Sequence, residues 1–271
     1  MRLWLMLSML AASPLLAQQI QPRNDAAIWM NRGIDAYRHG QFDQAASAFE
    51  KAGDLDPTNP NAHLYAGTSF VMLYVPGSDF PDNVMYFERA KTQFERTLEI
   101  IPNYPPAIAS LAKLIFQQAQ GNKDPDDKQR QLDEAREWYL KLTHFDARNK
   151  EGWYPLGAIA WMKCHPELAA ARAQLGMKAD DPGPLTDATA RKKLKAKIGP
   201  SIDEGITDLE TALRIDPRYD EALDYMARLV RDRADLRDTA AEYRQDIAEA
   251  DQWDQRLVET RKLKPAQFPV R

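Results

Sequence analysis

Ten positions that recur along this chain hold nothing larger than alanine. They come as five pairs: Gly33 with Ala45, Gly67 with Ala90, Ala112 with Ala135, Gly157 with Gly205, and Ala227 with Ala250. A site that stays this small while its neighbours are large marks a close approach of two helix backbones. The residues around the second member repeat as well: Ala45-Phe49-Ala52-Pro57, Ala90-Phe94-Thr97-Pro102, Ala135-Tyr139-Leu142 and Gly205-Leu209-Ala212-Pro217. Steps of three, four and seven residues place such side chains on one helical face. A core-filling residue precedes each set, namely Phe42, Phe87, Leu132, Ile202 and Ile247. Pro57, Pro102 and Pro217 stop the second helix, whereas Pro60 and Pro105 sit where a first turn tolerates proline. The chain reads as an all-α stack of helix pairs, each burying its apolar face on its neighbours.

Counted from Ala26 as position 1, Trp29 falls at position 4, Gly33 at 8, Phe42 at 17, Ala45 at 20, Phe49 at 24, Ala52 at 27 and Pro57 at 32. This pattern resembles the tetratricopeptide repeat, a helix-turn-helix unit of about 34 residues. Two departures stand out: Arg32 occupies a place where leucine is usual, and Asp254 one where an aromatic belongs. The resemblance covers roughly residues 26–262. It implies a right-handed solenoid of about five repeats.

The departures from a regular period are equally informative. Trp29, His63, Ile108, Trp153 and Leu223 share position 4, at successive spacings of 34, 45, 45 and 70. Every excess falls between the first and second helix of a pair, which predicts long loops aligned along one edge. Val75 to Pro81, with two prolines and a glycine, reads as a non-helical loop, and Gly121 to Asp127 as a turn capping a helix near Asp126. In the last block, helix resumes after Asp238 and runs to about Lys262. The largest excess, about residues 163–200, reads as two short helices, Glu167–Leu175 and Ala188–Ile198, in a small subdomain over the array.

The first seventeen residues carry the features of an export signal. A positive Met1-Arg2 start precedes the apolar run Leu3–Ala12, Ser13-Pro14 interrupts it, and Ala17 offers a cleavage point before Gln18. The run is shorter than the roughly 20 residues that span a bilayer as helix. Residues 18–25 read as a linker and 263–271 as a tail. The expected product is a soluble exported protein, periplasmic or secreted. A net charge of −4 with scattered basic residues excludes a broad nucleic-acid-binding face. Cys164 is the single cysteine, so no internal disulfide can form.

Arrays of this family bind partners along a concave face made by positions 2, 5, 9, 12 and 13 of the first helices. By that resemblance, Met30, Ile34, Tyr37, Leu64, Val71, Phe116, Tyr154 and Trp161 line an apolar groove that turns charged at Arg228 and Arg231. Such a groove suits an amphipathic helix or an extended apolar segment of a protein or peptide partner. The second reading is a carrier, in which the insertion closes the groove over a lipid-like ligand. The carboxylate clamp of some co-chaperones has only Lys113 to serve it. No catalytic motif, cofactor fingerprint or metal-ligand spacing occurs, and Asp124, Asp126 and Asp127 read as helix-capping residues. Arg191 to Lys197, rich in lysine, reads as a solvated helix face. The reading is a non-enzymatic interaction scaffold.

Overall fold

A computed structural model describes residues 14–78, 80–178 and 181–263. Residues 1–13 of the expected signal and 264–271 of the expected tail lie outside the described residues. The described residues form ten helices: α1 (Pro14–Arg38), α2 (Phe42–Leu55), α3 (Pro60–Leu73), α4 (Pro81–Ile100), α5 (Pro105–Gly121), α6 (Pro125–Phe145), α7 (Lys150–Gln174), α8 (Ala188–Ile215), α9 (Asp220–Asp235) and α10 (Ala240–Leu263). No strand occurs among them. The stretch 18–25, read as a linker, belongs to α1. The chain divides into two compact units, Met1–Leu114 and Ile115–Arg271, with the division inside α5.

In the first unit α1 packs on α2, α2 on α3, and α3 on α4. The small residues have the role expected of them, with a refinement. A methyl group added at Gly33 would sit 2.6 Å from the Phe49 ring, and one at Gly67 would sit 2.7 Å from the Phe94 ring. The first-helix glycine therefore makes room for the large position-24 side chain of its own pair. In the second unit Gly157 stands in the same relation to Leu209, at 2.3 Å, while Gly205 backs onto Ala160, Leu229 and the Gly157 backbone. Ala45, Ala90, Ala135 and Ala250 are wholly buried.

Helix starts follow local chemistry. The side chains of Asn59, Asp124, Asn149 and Asp187 each accept a backbone N–H from the first turn of α3, α6, α7 and α8. Pro60 and Pro125 fill the first helical position behind two of these caps. Thr239 and Glu242 reciprocate side-chain and backbone bonds at the start of α10, a capping box. Gly176, at φ +70°, ends α7 in the left-handed conformation that glycine adopts without strain.

The turn before α6 and the helix resumed after Asp238 are as expected, but the expected ridge of loops is corrected. Only Tyr74–Phe80 and residues 175–187 are extended connections; α5 to α6 takes residues 122–124 and α9 to α10 takes 236–239. Most of the extra chain lengthens the second helices, from 14 residues in α2 to 20, 21, 28 and 24 in α4, α6, α8 and α10. The two short helices expected near 167–175 and 188–198 are likewise the continuations of α7 and α8, not a separate subdomain. Pro166 and Pro200 lie inside these helices, which run through them. Cys164, Leu168, Ile198 and Ile202 are buried in one core, and that packing outweighs the lost backbone bonds.

Gly157→Ala should therefore destabilise the protein by about 1–3 kcal/mol through overpacking against the buried Leu209, despite alanine's better helix propensity. Urea denaturation followed by circular dichroism checks this. An unchanged midpoint would mean that the Gly157–Leu209 contact is loose.

Candidate interaction surfaces

In the first unit the expected groove residues differ in what they pack against and which cavity they line. Met30, Ile34 and Tyr37 are half-buried and pack against Ala45, Phe49 and Ala66. Ile34, Tyr37 and Leu64, with Arg38, Tyr65, Thr68, Pro106 and Ser110, line an open cavity of about 450 Å³. Phe49 also lines it and meets Tyr65 edge-on at 5.4 Å. Val71 is half-buried and is not part of that lining. The buried His63 is satisfied by Gln93 Oε1 at 2.8 Å, and Gln93 in turn donates to Glu50. It is a packing residue.

In the second unit Tyr154 and Trp161, two turns apart on α7, meet aromatic residues of the following helix pair. Tyr154 lies 5.1 Å from Tyr219 and 6.1 Å from Tyr225, and Trp161 lies 5.7 Å from Tyr225. Arg228 spreads over the Trp161 and Tyr225 rings at 4.9 and 5.4 Å while paired with Asp224. Arg231 pairs with Asp251 and Asp254 on α10. Phe116 differs from its expected place: it is only 4% exposed and packs edge-on against Tyr139 of α6. Burial at the α5–α6 contact takes its ring out of any groove.

Beside Trp161 lies a feature that repeat positions could not reveal. His165, one turn along α7, stacks on the Trp161 ring at 4.7 Å and its Nδ1 lies 3.0 Å from Asp232 Oδ1. This pair forms part of the wall of a cavity of about 510 Å³, which Leu168, Arg172, Asp181, Arg231, Asp235 and Tyr243 also line. Arg172 donates to both oxygens of Asp235 and to the backbone carbonyls of Lys178 and Asp181. The 175–187 connection is thereby tied to the C-terminal end of α9, where Leu185 N–H also donates to the Asp235 carbonyl. The only sequence signals were the i, i+4 spacing of Trp161 and His165 and the i, i+3 spacing of Asp232 and Asp235.

Electrostatics follow the burial. Desolvation raises Asp232 and Asp235 above the ordinary carboxylate range, partly opposed by His165 and Arg172. The hydrogen bond with Asp232 raises His165. Desolvation pushes the Asp208 carboxyl up to about 7, with Glu204 adding to it. Burial first, then Asp232, lifts the Cys164 thiol to about 11, so it stays protonated and unreactive at neutral pH. The basic stretch is partly tied down: Lys195 pairs with Asp238 and Lys197 with Glu167. Asp124 serves as the cap of α6, and Asp127 pairs with Arg130. Among the described residues no three His, Cys, Asp or Glu side chains cluster to hold a metal, and no helix is long and apolar enough to cross a membrane.

The raised His165 value fixes the sign of a pH effect. Its contribution to stability is complete below the unfolded value of 6.5 and is lost as pH rises through the higher folded value. The raised Asp232 works in the same direction. In His165→Gln the fall in stability above pH 6.5 should shrink by about 0.5 kcal/mol, the half-exposed ring being screened by solvent. Denaturant midpoints across pH 5.5–8.5 read it out; parallel curves for the two proteins would contradict it.

Comparison with known proteins agrees with the helix-pair geometry. Residues 26–59 match the tetratricopeptide repeat family. No curated protein matches the sequence. Among solved structures, a crystal structure of MamA protein aligns at TM-score 0.54 and 15% identity, over 90% of this chain and 98% of that one. MamA residues 41 to the end, from Desulfovibrio magneticus RS-1, align at 0.56 and 12% identity, over 89% and 98%. Residues 26–59 are thus a tetratricopeptide repeat, and the chain as a whole has the fold of a tetratricopeptide-repeat solenoid.

Proposed function

We propose that this chain is a non-enzymatic interaction scaffold, exported from the cytoplasm to the periplasm or cell exterior, that holds an apolar segment of a partner protein against the first helices of its repeats. The fold itself is one that serves protein–protein interaction. One observation carries the finer reading. First-helix side chains in each unit leave apolar surface only partly covered: Ile34 and Tyr37 around the 450 Å³ cavity, which the buried Leu64 also lines, and Tyr154 and Trp161 beside Tyr225. Each large partner side chain buried there contributes about 1.5–3 kcal/mol before ordering costs.

The carrier reading loses its main support, because residues 163–200 lengthen α7 and α8 and their connecting loop is tied to the end of α9. Export rests on the Met1–Ala17 pattern.

Crosslinking in the native cell followed by mass spectrometry tests the surface. The wild-type chain should crosslink to a discrete protein partner. Tyr37→Ala combined with Trp161→Ala should reduce that yield at least tenfold while the helical circular-dichroism signal stays. Undiminished crosslinks from the double variant would remove these faces as the docking surface. For export, N-terminal sequencing of the mature protein should begin at Gln18, and a cytoplasmic chain that retains Met1 would overturn that part.

A further inference from the structure

Building on the docking role of the second unit's aromatic face, we propose that the cavity beside it takes a basic side chain, lysine or arginine, of the partner protein, with the Asp232 carboxylate as counter-charge. The cavity continues that face directly, because His165 both stacks on Trp161 and forms part of the cavity wall. Its volume of about 510 Å³ accommodates a long side chain together with the backbone that carries it.

The charges in the wall are unevenly matched. Arg172 is engaged by Asp235 at 2.9 and 2.7 Å, and Arg231 by Asp251 and Asp254 at 2.9 and 2.5 Å. Arg228, just outside, is engaged by Asp224. Asp232 is different. It is 5% exposed, and both its oxygens share one imidazole nitrogen, His165 Nδ1, at 3.0 and 3.2 Å. An ionised carboxylate offers about four lone-pair sites. One shared donor leaves most of them open. Asp181 adds a second carboxylate, which accepts the Lys178 backbone N–H. With both lining arginines already paired, the wall carries an excess of negative charge.

A buried carboxylate in this state is strongly stabilised by a cation that donates hydrogen bonds to it. The flanking surface selects the source. Leu168, Ala169, Ala173, Met177 and Ile247 line the remaining wall and suit the methylene stem of a lysine or arginine. The Trp161 and Tyr225 rings next to it suit apolar neighbours in the same chain. A free small amine would fill only the charged end.

Ten-residue random peptides displayed on phage, selected against the full chain, test this. Wild-type protein should enrich lysine or arginine next to apolar residues. The best peptide, made synthetically, should bind Asp232→Asn at least about tenfold more weakly than wild type. Asparagine keeps the volume and the bond to His165, and circular dichroism checks the fold; if that variant unfolds, Asp181→Asn in the loop takes its place, with a loss of at least threefold expected. Apolar enrichment without a basic preference, or equal binding by the variant, overturns the inference and leaves the docking role intact. No enrichment sensitive to Trp161→Ala overturns both. Spermidine binding as tightly as the best peptide would identify the cavity as a small-amine site instead.

Discussion

The contact on which the structure depends is that of a missing or minimal side chain on one helix with a large one on its partner. Gly33 under Phe49, Gly67 under Phe94 and Gly157 under Leu209 let each first helix settle onto its second at a distance no larger residue permits. Phe49, Phe94 and Leu209 are almost completely buried as a result, so each of these three pairs contributes a large apolar side chain to its core. Adjacent pairs then supply the rest of the burial, as α2 does for α3 and α8 for α9. Stability is accordingly distributed along the chain, which is the condition that lets solenoids absorb insertions without losing their fold.

The insertions show how that tolerance is used. Extra residues between the helices of a pair extend the second helix, where they bring their own caps, such as Asp124, Asp187 and the Thr239–Glu242 box. The largest one grows both helices of the fourth pair past Pro166 and Pro200. Its connecting loop is held by polar contacts, chiefly Arg172 with Asp235 and two loop carbonyls. Further along α9 and α10, Asp246 is 2% exposed and accepts from both Arg233 and Arg237. Removing one partner of such a buried pair leaves the other charge uncompensated, at a cost of about 3–5 kcal/mol.

Sequence reasoning reached the groove residues unevenly. Ile34, Tyr37, Leu64, Tyr154 and Trp161 stand on first helices at the register the repeat implies, and the cavity and ring contacts gather around them. Phe116 shares that register and is nevertheless core, because position alone does not say which neighbour covers a ring. The His165–Asp232 pair was illegible for a related reason. Its partners are far apart in sequence and belong to different repeats, and the meeting is set by how the lengthened α7 lies along α9.

By itself, the sequence determined the all-α class, the pairing of helices and the places of closest approach, because these depend on residue size at fixed spacing within single helices. It also determined most helix boundaries, through prolines and short polar caps that act locally. Only the tertiary structure decided that the largest insertion lengthens α7 and α8 instead of forming separate short helices, that prolines are carried inside both, and which charges face one another around Asp232. Those outcomes turn on packing and desolvation between segments remote in the chain, and no local pattern encodes them.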